Sequence, residues 1–224
     1  MNILINDGLH PAGIELLKNA GHKVDTNNIP QEELLGKLNE YDAILVRSAT
    51  TVRKDLMDAA PNLKLIGRGG VGLDNIDLVS AKEKNIAVFN TPAASSRSVA
   101  ELAMAHLFGI VRSLPAVNKA MSIDGVSDFK ALKKSASKGI ELQGKTLGLI
   151  GFGRIGRETA SIAIGCGMKI IAFDPYIKDG EVEVKLHPDY DFNHTIHVKT
   201  VSKEELLINA DFISLHIPGG QGYV

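Results

Sequence analysis

The sequence predicts an α/β protein that is built from two successive sheet-and-helix domains. Three observations support this fold class. Short aliphatic runs alternate with longer helical stretches over residues 1–95, and the alternation resumes after residue 145. A glycine-rich loop at residues 151–156 lies directly between a strand and a helix. Hydrophobic residues make up 44% of the 224 residues, which is enough to bury one large core or two modest ones.

The first domain is predicted from an alternation of strand-like and helical runs. The strand-like runs cover residues 2–5, 22–24, 43–46, 63–66 and 86–89, and the helical runs cover 11–20, 31–38, 54–60 and 78–84. Strands that alternate with helices in this way indicate a parallel sheet with helices on both faces. Right-handed crossovers then fix most of the topology.

The second domain is predicted to begin with a long, largely apolar helix over residues 98–114, which Pro115 ends or bends. A polar stretch at 122–141 is interpreted as an irregular arm or a short helix on the surface. The remaining elements alternate again. Strands are expected at 146–150, 169–173 and 212–215, with a possible strand at 196–201, and helices at 157–165 and 203–209.

Composition and charge narrow the class of protein. The formal net charge is −1 without a basic block, so the sequence does not predict a nucleic-acid-binding protein. A single cysteine excludes an internal disulfide and fits a reducing compartment. Because no signal peptide and no apolar run of membrane-spanning length is found, we expect a cytoplasmic protein without a membrane partner. His194 and His197 are spaced like a metal-ligand pair on a helix, but no third ligand is clearly placed, so no metal site is expected.

The segment at residues 151–156, Gly-Phe-Gly-Arg-Ile-Gly, has the spacing of a dinucleotide-binding loop. Gly151 permits the tight turn, Gly153 lets the backbone approach a pyrophosphate, and Gly156 lets the helix pack close to the strand. The helix N-terminus then offers free N–H groups and a partial positive charge to the phosphates. Asp174, at the end of the next strand, can accept hydrogen bonds from ribose hydroxyls and would repel a 2′-phosphate, which favours NAD over NADP. A helix-packing loop with an ordinary strand-end aspartate is the alternative, but the order of strand, loop, helix, strand and aspartate favours a Rossmann-type NAD site.

Further motifs follow one another in order along the chain. They are Arg-Ser-Ala-Thr at 47–50, Gly-Arg-Gly-Gly-Val-Gly-Leu-Asp-Asn-Ile-Asp at 67–77, Asn-Thr-Pro at 90–92, Ser-Val-Ala-Glu-Leu at 98–102, the glycine loop within 148–157 and Leu-His-Ile-Pro at 215–218. Together they resemble the D-2-hydroxy-acid dehydrogenase family over essentially the whole chain.

The resemblance implies a domain organisation. Residues 1–95 would be the N-terminal segment of a flavodoxin-like substrate domain, and residues 96–224 an incomplete, doubly wound Rossmann NAD-binding domain. The helix from Ser98 would cross between the domains, and the active site would lie in the cleft between them. The arm from Asn118 to about Glu141 looks like the family's dimer-forming projection, so a homodimer or higher homo-oligomer is expected.

Several residues in the first domain are candidates for substrate binding. Arg47 follows a strand, at the carboxyl edge where ligands bind in open α/β sheets, and its fixed charge suits a phosphate or carboxylate. A surface ion pair is the alternative for this residue. Gly69 and Gly70 would let a loop approach substrate with backbone N–H groups directed at a carboxylate. Arg68 is left open between packing and substrate contact, and Arg97 is expected to be an exposed arginine that can assist phosphate binding.

The loop chemistry and the resemblance together define the predicted sites. The substrate-binding residues are Arg47, Ser48, Gly69 and Gly70. The cofactor-binding residues are Val71, Gly151, Gly153, Arg154, Ile155, Gly156, Asp174, Ile217 and Pro218. His216 is expected to be positional, because the histidine of this turn is not the family's proton-transfer residue.

The resemblance also implies a reaction, the NAD-dependent oxidation of a D-2-hydroxy acid. Arg47 and Arg97 favour a small phosphorylated substrate, D-3-phosphoglycerate, which would give 3-phosphohydroxypyruvate for serine biosynthesis. Reduction of glyoxylate or hydroxypyruvate is the alternative within the family. An NAD-sensing protein, like the corepressors built on this fold, is the alternative of another class.

The catalytic groups implied by the resemblance are a histidine base, a glutamate that orients it and an arginine that grips the carboxylate. In the family all three follow the turn that corresponds to residues 215–218, so no catalytic residue is assigned in this chain. We expect a truncated form of a longer enzyme in preference to a natural short form. Residues 1–224 alone are therefore expected to be inactive.

Overall fold

The structure is a computed structural model that describes residues 1–187 and 189–217. The chain divides into two compact units, Met1–Ser95 and Ser96–Val224. Each unit has its own parallel sheet and its own hydrophobic core. The α/β fold class predicted from the sequence is confirmed.

The first unit is described in full and contains a five-stranded parallel sheet. Its strands are β1 (Asn2–Ile5), β2 (Lys23–Asp25), β3 (Ala43–Val46), β4 (Leu65–Arg68) and β5 (Ala87–Asn90). Its helices are α1 (Pro11–Asn19), α2 (Gln31–Lys37), α3 (Lys54–Ala59) and α4 (Leu78–Glu83), with a 3-10 turn at Leu38–Glu40. The strand order β2-β1-β3-β4-β5 is the flavodoxin-like order, in which the chain changes direction across the sheet between β1 and β3.

Side-chain alternation along β1 explains why its apolar run is continuous. Leu4 belongs to the core cluster that contains Ile44 and Ile66. Ile3 and Ile5 lie in a second cluster, against which helix α1 packs. Because both faces are covered, consecutive residues are all buried, and each such side chain contributes about 1.5–3 kcal/mol. The sheet is thus a rigid base for the loops at its carboxyl edge.

The described part of the second unit contains a three-stranded parallel sheet and an antiparallel hairpin. The sheet is formed by β6 (Thr146–Ile150), β7 (Lys169–Phe173) and β10 (Phe212–Leu215), and the hairpin by β8 (Asp179–Lys185) and β9 (Asn193–Lys199). The helices are α5 (Ser96–Val111), α6 (Leu114–Asp124), α7 (Phe129–Ala136), α8 (Arg154–Gly165) and α9 (Lys203–Asn209). The strand order is β10-β6-β7, so β6 is central and the connection after β7 returns to its other side. Ligands of open α/β sheets bind at such a switch point.

The long helix predicted over residues 98–114 is shorter at its C-terminus than expected. Helix α5 ends at Val111, and Ser113 adopts a left-handed conformation with φ of 52°. Pro115 does not end this helix, since it lies in the first turn of α6, where its missing N–H group has no helical partner to lose. No single helix in the described ranges is long and apolar enough to cross a membrane. Helices α5 and α6 pass that test only as a pair, and a 62° bend separates them.

The β8–β9 hairpin differs from the sequence prediction, which has only a possible strand at 196–201 in this region. The two strands pair from Asp179 with Lys199 to Lys185 with Asn193. The alternation of Glu181, Val182 and Glu183 is the local signal for β8, because such a period of two is typical of a half-buried strand. Val182 is buried and Glu181 exposed, as this pattern requires.

Candidate functional site

The glycine loop follows β6 at the switch point of the second sheet. Gly151 has a φ of +95°, and a Cβ there would lie 2.5 Å from the carbonyl oxygen of His216. A Cβ on Gly156 would lie 2.3 Å from the carbonyl oxygen of Gly151. Both positions therefore require glycine for backbone reasons, one for its conformation and one for the close approach of α8.

Gly153 is different, because a Cβ built there meets nothing within 4 Å. Its φ of −75° is accessible to any residue, so neither packing nor conformation within the described chain requires glycine. It precedes α8 directly, and no side chain among the described residues caps this end of the helix. The first-turn N–H groups of Arg154 and Ile155 lack helical partners, and the position just before them, at Gly153, is open. A glycine next to an uncapped helix N-terminus fits a pyrophosphate group.

Asp174 follows β7 and holds the glycine loop in place. Its Oδ2 accepts a hydrogen bond from the Phe152 N–H at 2.8 Å. Its Oδ1 accepts from the N–H groups of Tyr176 at 2.9 Å and Ile177 at 3.2 Å. A carboxylate offers about four lone-pair sites, so one on Oδ2 remains for a further donor. The aspartate predicted to bind ribose thus also has a structural role that sequence reasoning did not find.

The chain after β10 lies along the other side of the loop. The His216 N–H donates to the carbonyl oxygen of Ile150 at 2.8 Å, which continues the pairing of β10 with β6. Burial lowers the pKa of the half-buried His216 imidazole below its ordinary value. Ile217 is next to Gly151, since its Cγ2 would be 2.9 Å from a Cβ on that glycine. The predicted contact at Pro218 lies outside the described residues.

The first unit contains a separate cleft of about 590 Å³ at the carboxyl edge of its sheet. It is lined by Asp7, Gly8, Leu9, His10, Leu45, Val46, Arg47, Gly67, Arg68, Gly69, Phe89 and Thr91. Arg47 is exposed, and within residues 1–187 and 189–217 its guanidinium has neither a hydrogen-bond nor an ion-pair partner. The surface ion pair considered as the alternative is absent from that part of the chain, so the cation is available to an anionic ligand.

Asp7 organises the loop that carries Arg47, and sequence reasoning missed it. Its carboxylate accepts from the Arg47 N–H at 2.6 Å and from the Thr50 N–H at 3.0 Å and hydroxyl at 2.5 Å. Burial raises the pKa of this carboxyl, but the hydrogen bonds from Thr50 and Arg47 outweigh it and the net pKa is lowered. The available signal was its position two residues after the end of β1, at the same sheet edge as Arg47.

Arg68 braces the loop at residues 69–72. Its side chain is only 12% exposed, and its guanidinium donates to the carbonyl oxygens of Arg47 and Gly72 and pairs with Asp74 at 3.6 Å. The Asn90 amide donates to the carbonyl oxygen of Val71 at 2.6 Å. These contacts support packing as the role of Arg68, which the sequence left open between packing and substrate contact.

The predicted residues form one group in each unit. Gly151, Gly153, Arg154, Ile155, Gly156, Asp174 and Ile217 surround the start of α8. Arg47 and Gly69 line the cleft of the first unit, with Ser48, Gly70 and Val71 in the same two loops. Arg97 pairs with Glu101 at 3.0 Å and with Glu158 at 3.3 Å, which agrees with an exposed arginine. In the described chain no group of three or more His, Cys, Asp or Glu side chains is arranged to hold a metal ion.

A sequence profile described as "D-isomer specific 2-hydroxyacid dehydrogenase, catalytic domain" matches residues 3–213. The chain belongs to this family. A relative named hydroxypyruvate reductase, from Thermotoga maritima, is 44% identical over 96% of the chain and 64% of its own length. D-3-phosphoglycerate dehydrogenase from Methanocaldococcus jannaschii is 42% identical over 97% of the chain and 38% of its own length.

A solved structure of the family supports the same fold. The NAD⁺-bound 3-phosphoglycerate dehydrogenase of Entamoeba histolytica superposes with a TM-score of 0.70 at 28% identity, covering 99% of this chain and 64% of that one. The chain thus spans less than two thirds of the length of each of these dehydrogenases. Their names are those of enzymes, which does not favour the corepressor alternative.

Proposed function

We propose that this chain forms the NAD-binding domain and the N-terminal substrate-domain segment of an NAD-dependent dehydrogenase of D-3-phosphoglycerate. The observation that carries the cofactor assignment is the open space at Gly153 beside the uncapped start of α8. Neither packing nor backbone conformation within the described residues requires glycine at position 153. A ligand that occupies the space beside Gly153 would explain why no side chain is present there.

The residues around α8 fit the pyrophosphate and the adenosine part of NAD. The first-turn N–H groups of Arg154 and Ile155 would hold the pyrophosphate, and the free lone pair of Asp174 would accept from the adenosine ribose. Ile217 would border the adenosine, while the role of Val71, in the first unit, stays a prediction. NAD, when bound, supplies the acceptor for the hydride that leaves C2 of the hydroxy acid.

Gly153→Ala tests the cofactor assignment. The added methyl group meets no protein atom, so the fold should be unchanged while the pyrophosphate is obstructed. We expect the Kd for NAD, measured by calorimetry on residues 1–224, to rise about tenfold or more. Gly165→Ala is the matched control, because it also meets nothing within 4 Å and lies at the far end of the same helix. An NAD affinity that is absent in the parent chain, or equal in both variants, contradicts the proposal.

Asp174 supports the choice of NAD over NADP. Its carboxylate carries negative charge where the 2′-phosphate of NADP would lie, and it is fixed there by three backbone N–H groups. We expect NADP to bind residues 1–224 at least about tenfold more weakly than NAD. Equal affinity for the two dinucleotides would contradict this part of the proposal.

The free guanidinium of Arg47 supports a phosphorylated substrate. In the full-length protein, Arg47→Gln should raise the KM for D-3-phosphoglycerate about tenfold and leave that for unphosphorylated D-glycerate within about twofold. Arg97→Gln is the control cation, since its guanidinium is already paired with two carboxylates. The similarity to hydroxypyruvate reductase favours a second candidate, reduction of hydroxypyruvate. Faster turnover of hydroxypyruvate than of the phosphorylated substrate would select it.

Two further expectations belong to the same proposal. Exposed apolar side chains on and beside α6 and α7, including Ile123, Val126 and Phe129, support an arm that forms a homodimer. Sedimentation of the full-length protein as a monomer would contradict it.

Residues 1–224 alone should bind NAD without reducing it in the presence of D-3-phosphoglycerate, and measurable reduction would contradict that. The cytoplasmic location stays a prediction.

A further inference from the structure

We infer that the β8–β9 hairpin positions the glycine loop for its ligand, because Gly180 of β8 packs against the ring of Phe152, over which the Arg157 guanidinium also lies. Phe152 and Gly180 are then positioning residues, which act on the cofactor through Gly153 and the start of α8. The inference rests on the proposed binding of NAD by this loop. It assigns a role to the hairpin, which the proposed function leaves without one.

The contact between hairpin and loop depends on the missing side chain of Gly180. A Cβ at this position would lie 2.5 Å from Cε1 and 2.9 Å from Cδ1 of Phe152, and 3.3 Å from the Arg157 Nη2. The distances to the ring are well inside van der Waals contact, so the ring or the strand would have to move. Gly180 therefore lets β8 approach the loop more closely than any other residue would.

The Phe152 ring is not free to move away from such a contact. The residue is fully buried at 0% exposure, and the Arg157 guanidinium lies over its ring at 5.5 Å from the centroid. Both of its backbone polar groups are also held. Its N–H donates to Asp174 at 2.8 Å, and its carbonyl oxygen accepts from the Arg157 Nε at 3.1 Å. A displacement of the ring must therefore displace the loop backbone next to Gly153.

The hairpin itself is attached to the elements that surround the loop. The Ser161 hydroxyl of α8 donates to the carbonyl oxygen of Glu183 in β8 at 2.8 Å. The Thr200 hydroxyl, just after β9, donates to the carbonyl oxygens of Ile177 at 3.0 Å and Lys178 at 2.9 Å. Val182 and Val198 belong to the same core cluster as Phe152. The hairpin is thus a packed part of this unit, and its position is transmitted to the loop through Phe152.

The test combines Gly180→Ala and Phe152→Leu in residues 1–224. Gly180→Ala should raise the Kd for NAD about tenfold, because the displaced loop no longer aligns its N–H groups with the pyrophosphate. Phe152→Leu removes the ring edge that the new methyl group would meet. In the double variant the Gly180→Ala penalty should therefore fall to about twofold relative to Phe152→Leu alone, which is the signature of direct coupling. Thr195→Ala, at an exposed site of β9, is the control and should leave the Kd within about twofold.

The outcomes separate this inference from the proposed function. A parent chain that does not bind NAD overturns both. A parent chain that binds NAD, with Gly180→Ala lowering the Tm but leaving the Kd unchanged, overturns the inference and leaves the proposed function standing. Equal penalties for Gly180→Ala with and without Phe152→Leu also overturn it. If Gly180→Ala does not fold, Arg157→Gln replaces it, since it removes the guanidinium that lies over the ring without adding an atom beside Gly180. It should raise the Kd about threefold, and an unchanged Kd overturns the inference.

Discussion

The two units each present a glycine-rich loop after a parallel strand, and the two loops are held in different ways. The loop at residues 69–72 follows β4, and the Arg68 guanidinium fills the space beside it. A Cβ on Gly72 would lie 2.9 Å from the Arg68 Nη1, and one on Gly70 3.5 Å from its Cζ. The loop at residues 151–156 is held from outside by Asp174, while Gly153 faces open space.

This difference shows what a run of glycines indicates. In the first loop the room that a side chain at Gly72 would need is taken by Asp74 and Arg68, whose Oδ1 and Nη1 would lie 2.8 Å and 2.9 Å from its Cβ. In the second the equivalent room at Gly153 is left open next to N–H groups that have no helical partner. A glycine pattern therefore points to a ligand only where no protein atom fills the space that it creates.

The largest effect is expected from breaking the second loop with Gly151→Ala. The substitution combines a strained φ of +95° with a contact of 2.5 Å to the His216 carbonyl oxygen. The free energy of unfolding, measured in urea, should fall by about 3 kcal/mol, and NAD binding should be lost. Gly165→Ala is the control and should leave both nearly unchanged. A Gly151→Ala variant of parental stability would show that the loop is not constrained as described.

Arg68→Ala tests the brace of the first loop. It leaves the Gly72 carbonyl oxygen without its donor, removes one of the two donors to the Arg47 carbonyl oxygen and opens a space beside the loop. The free energy of unfolding should fall by about 2 kcal/mol, with no change in the Kd for NAD. Arg97→Ala, which removes exposed ion pairs only, should cost about 0–1 kcal/mol. If Arg68→Ala and Arg97→Ala lower the free energy of unfolding by the same amount, Arg68 does not hold the loop in place.

Asp7→Asn tests how the loop that carries Arg47 is held, because the contribution of the Asp7 carboxylate to the free energy of unfolding depends on pH. The folded-state pKa of Asp7 is lowered below its ordinary value of 3.8, so its stabilisation is present above that value and is lost as the pH falls through the folded pKa. At neutral pH the substitution should cost about 1 kcal/mol, since the carboxylate is partly exposed. The difference between parent and variant should shrink below pH 3.8. A difference that is constant from pH 7 to pH 3 would contradict the role of the carboxylate charge.

The smallest effect concerns His216, which borders the second loop. Burial lowers its folded-state pKa below the ordinary value of 6.5, so the unfolded chain binds a proton more readily. The free energy of unfolding should therefore decrease as the pH falls below 6.5, and it should do so less in a His216→Gln variant. Parallel unfolding curves for parent and variant between pH 7.5 and 5.5 would show that His216 does not contribute.

Features that depend on local sequence were predicted well. The bounds of β1 and β3 match the predicted runs, and α1 and α3 each end one residue earlier than predicted, because periodicity and turn residues are local signals. The glycine loop of the second unit could also be predicted, because its strand, turn and helix follow one another directly in the sequence.

Features that depend on contacts between distant residues were not predicted. The Asp7 carboxylate binds the Thr50 N–H across 43 positions, and Asp174 binds that of Phe152 across 22. No local pattern encodes such pairs. The sequence predicts that the helix ends or bends at Pro115, because proline breaks helices. The break lies at Ser113 instead, and Pro115 is in the first turn of the next helix, a position that proline also favours. The strand β8 had a local signal in the alternation at residues 181–183, but this signal covers only three residues and no strand is predicted there from the sequence.

Asp174 holds the glycine loop and is also proposed to bind the adenosine ribose, which has a consequence for the evolution and redesign of cofactor preference. Acceptance of a 2′-phosphate calls for removal of this negative charge, yet the same oxygen receives the Phe152 N–H at 2.8 Å. Asn in place of Asp keeps an acceptor without the charge, whereas Ala or Gly leaves that N–H group without a partner. A change of preference from NAD to NADP by substitution at position 174 must therefore use Asn, or must introduce another acceptor for the Phe152 N–H in the same step.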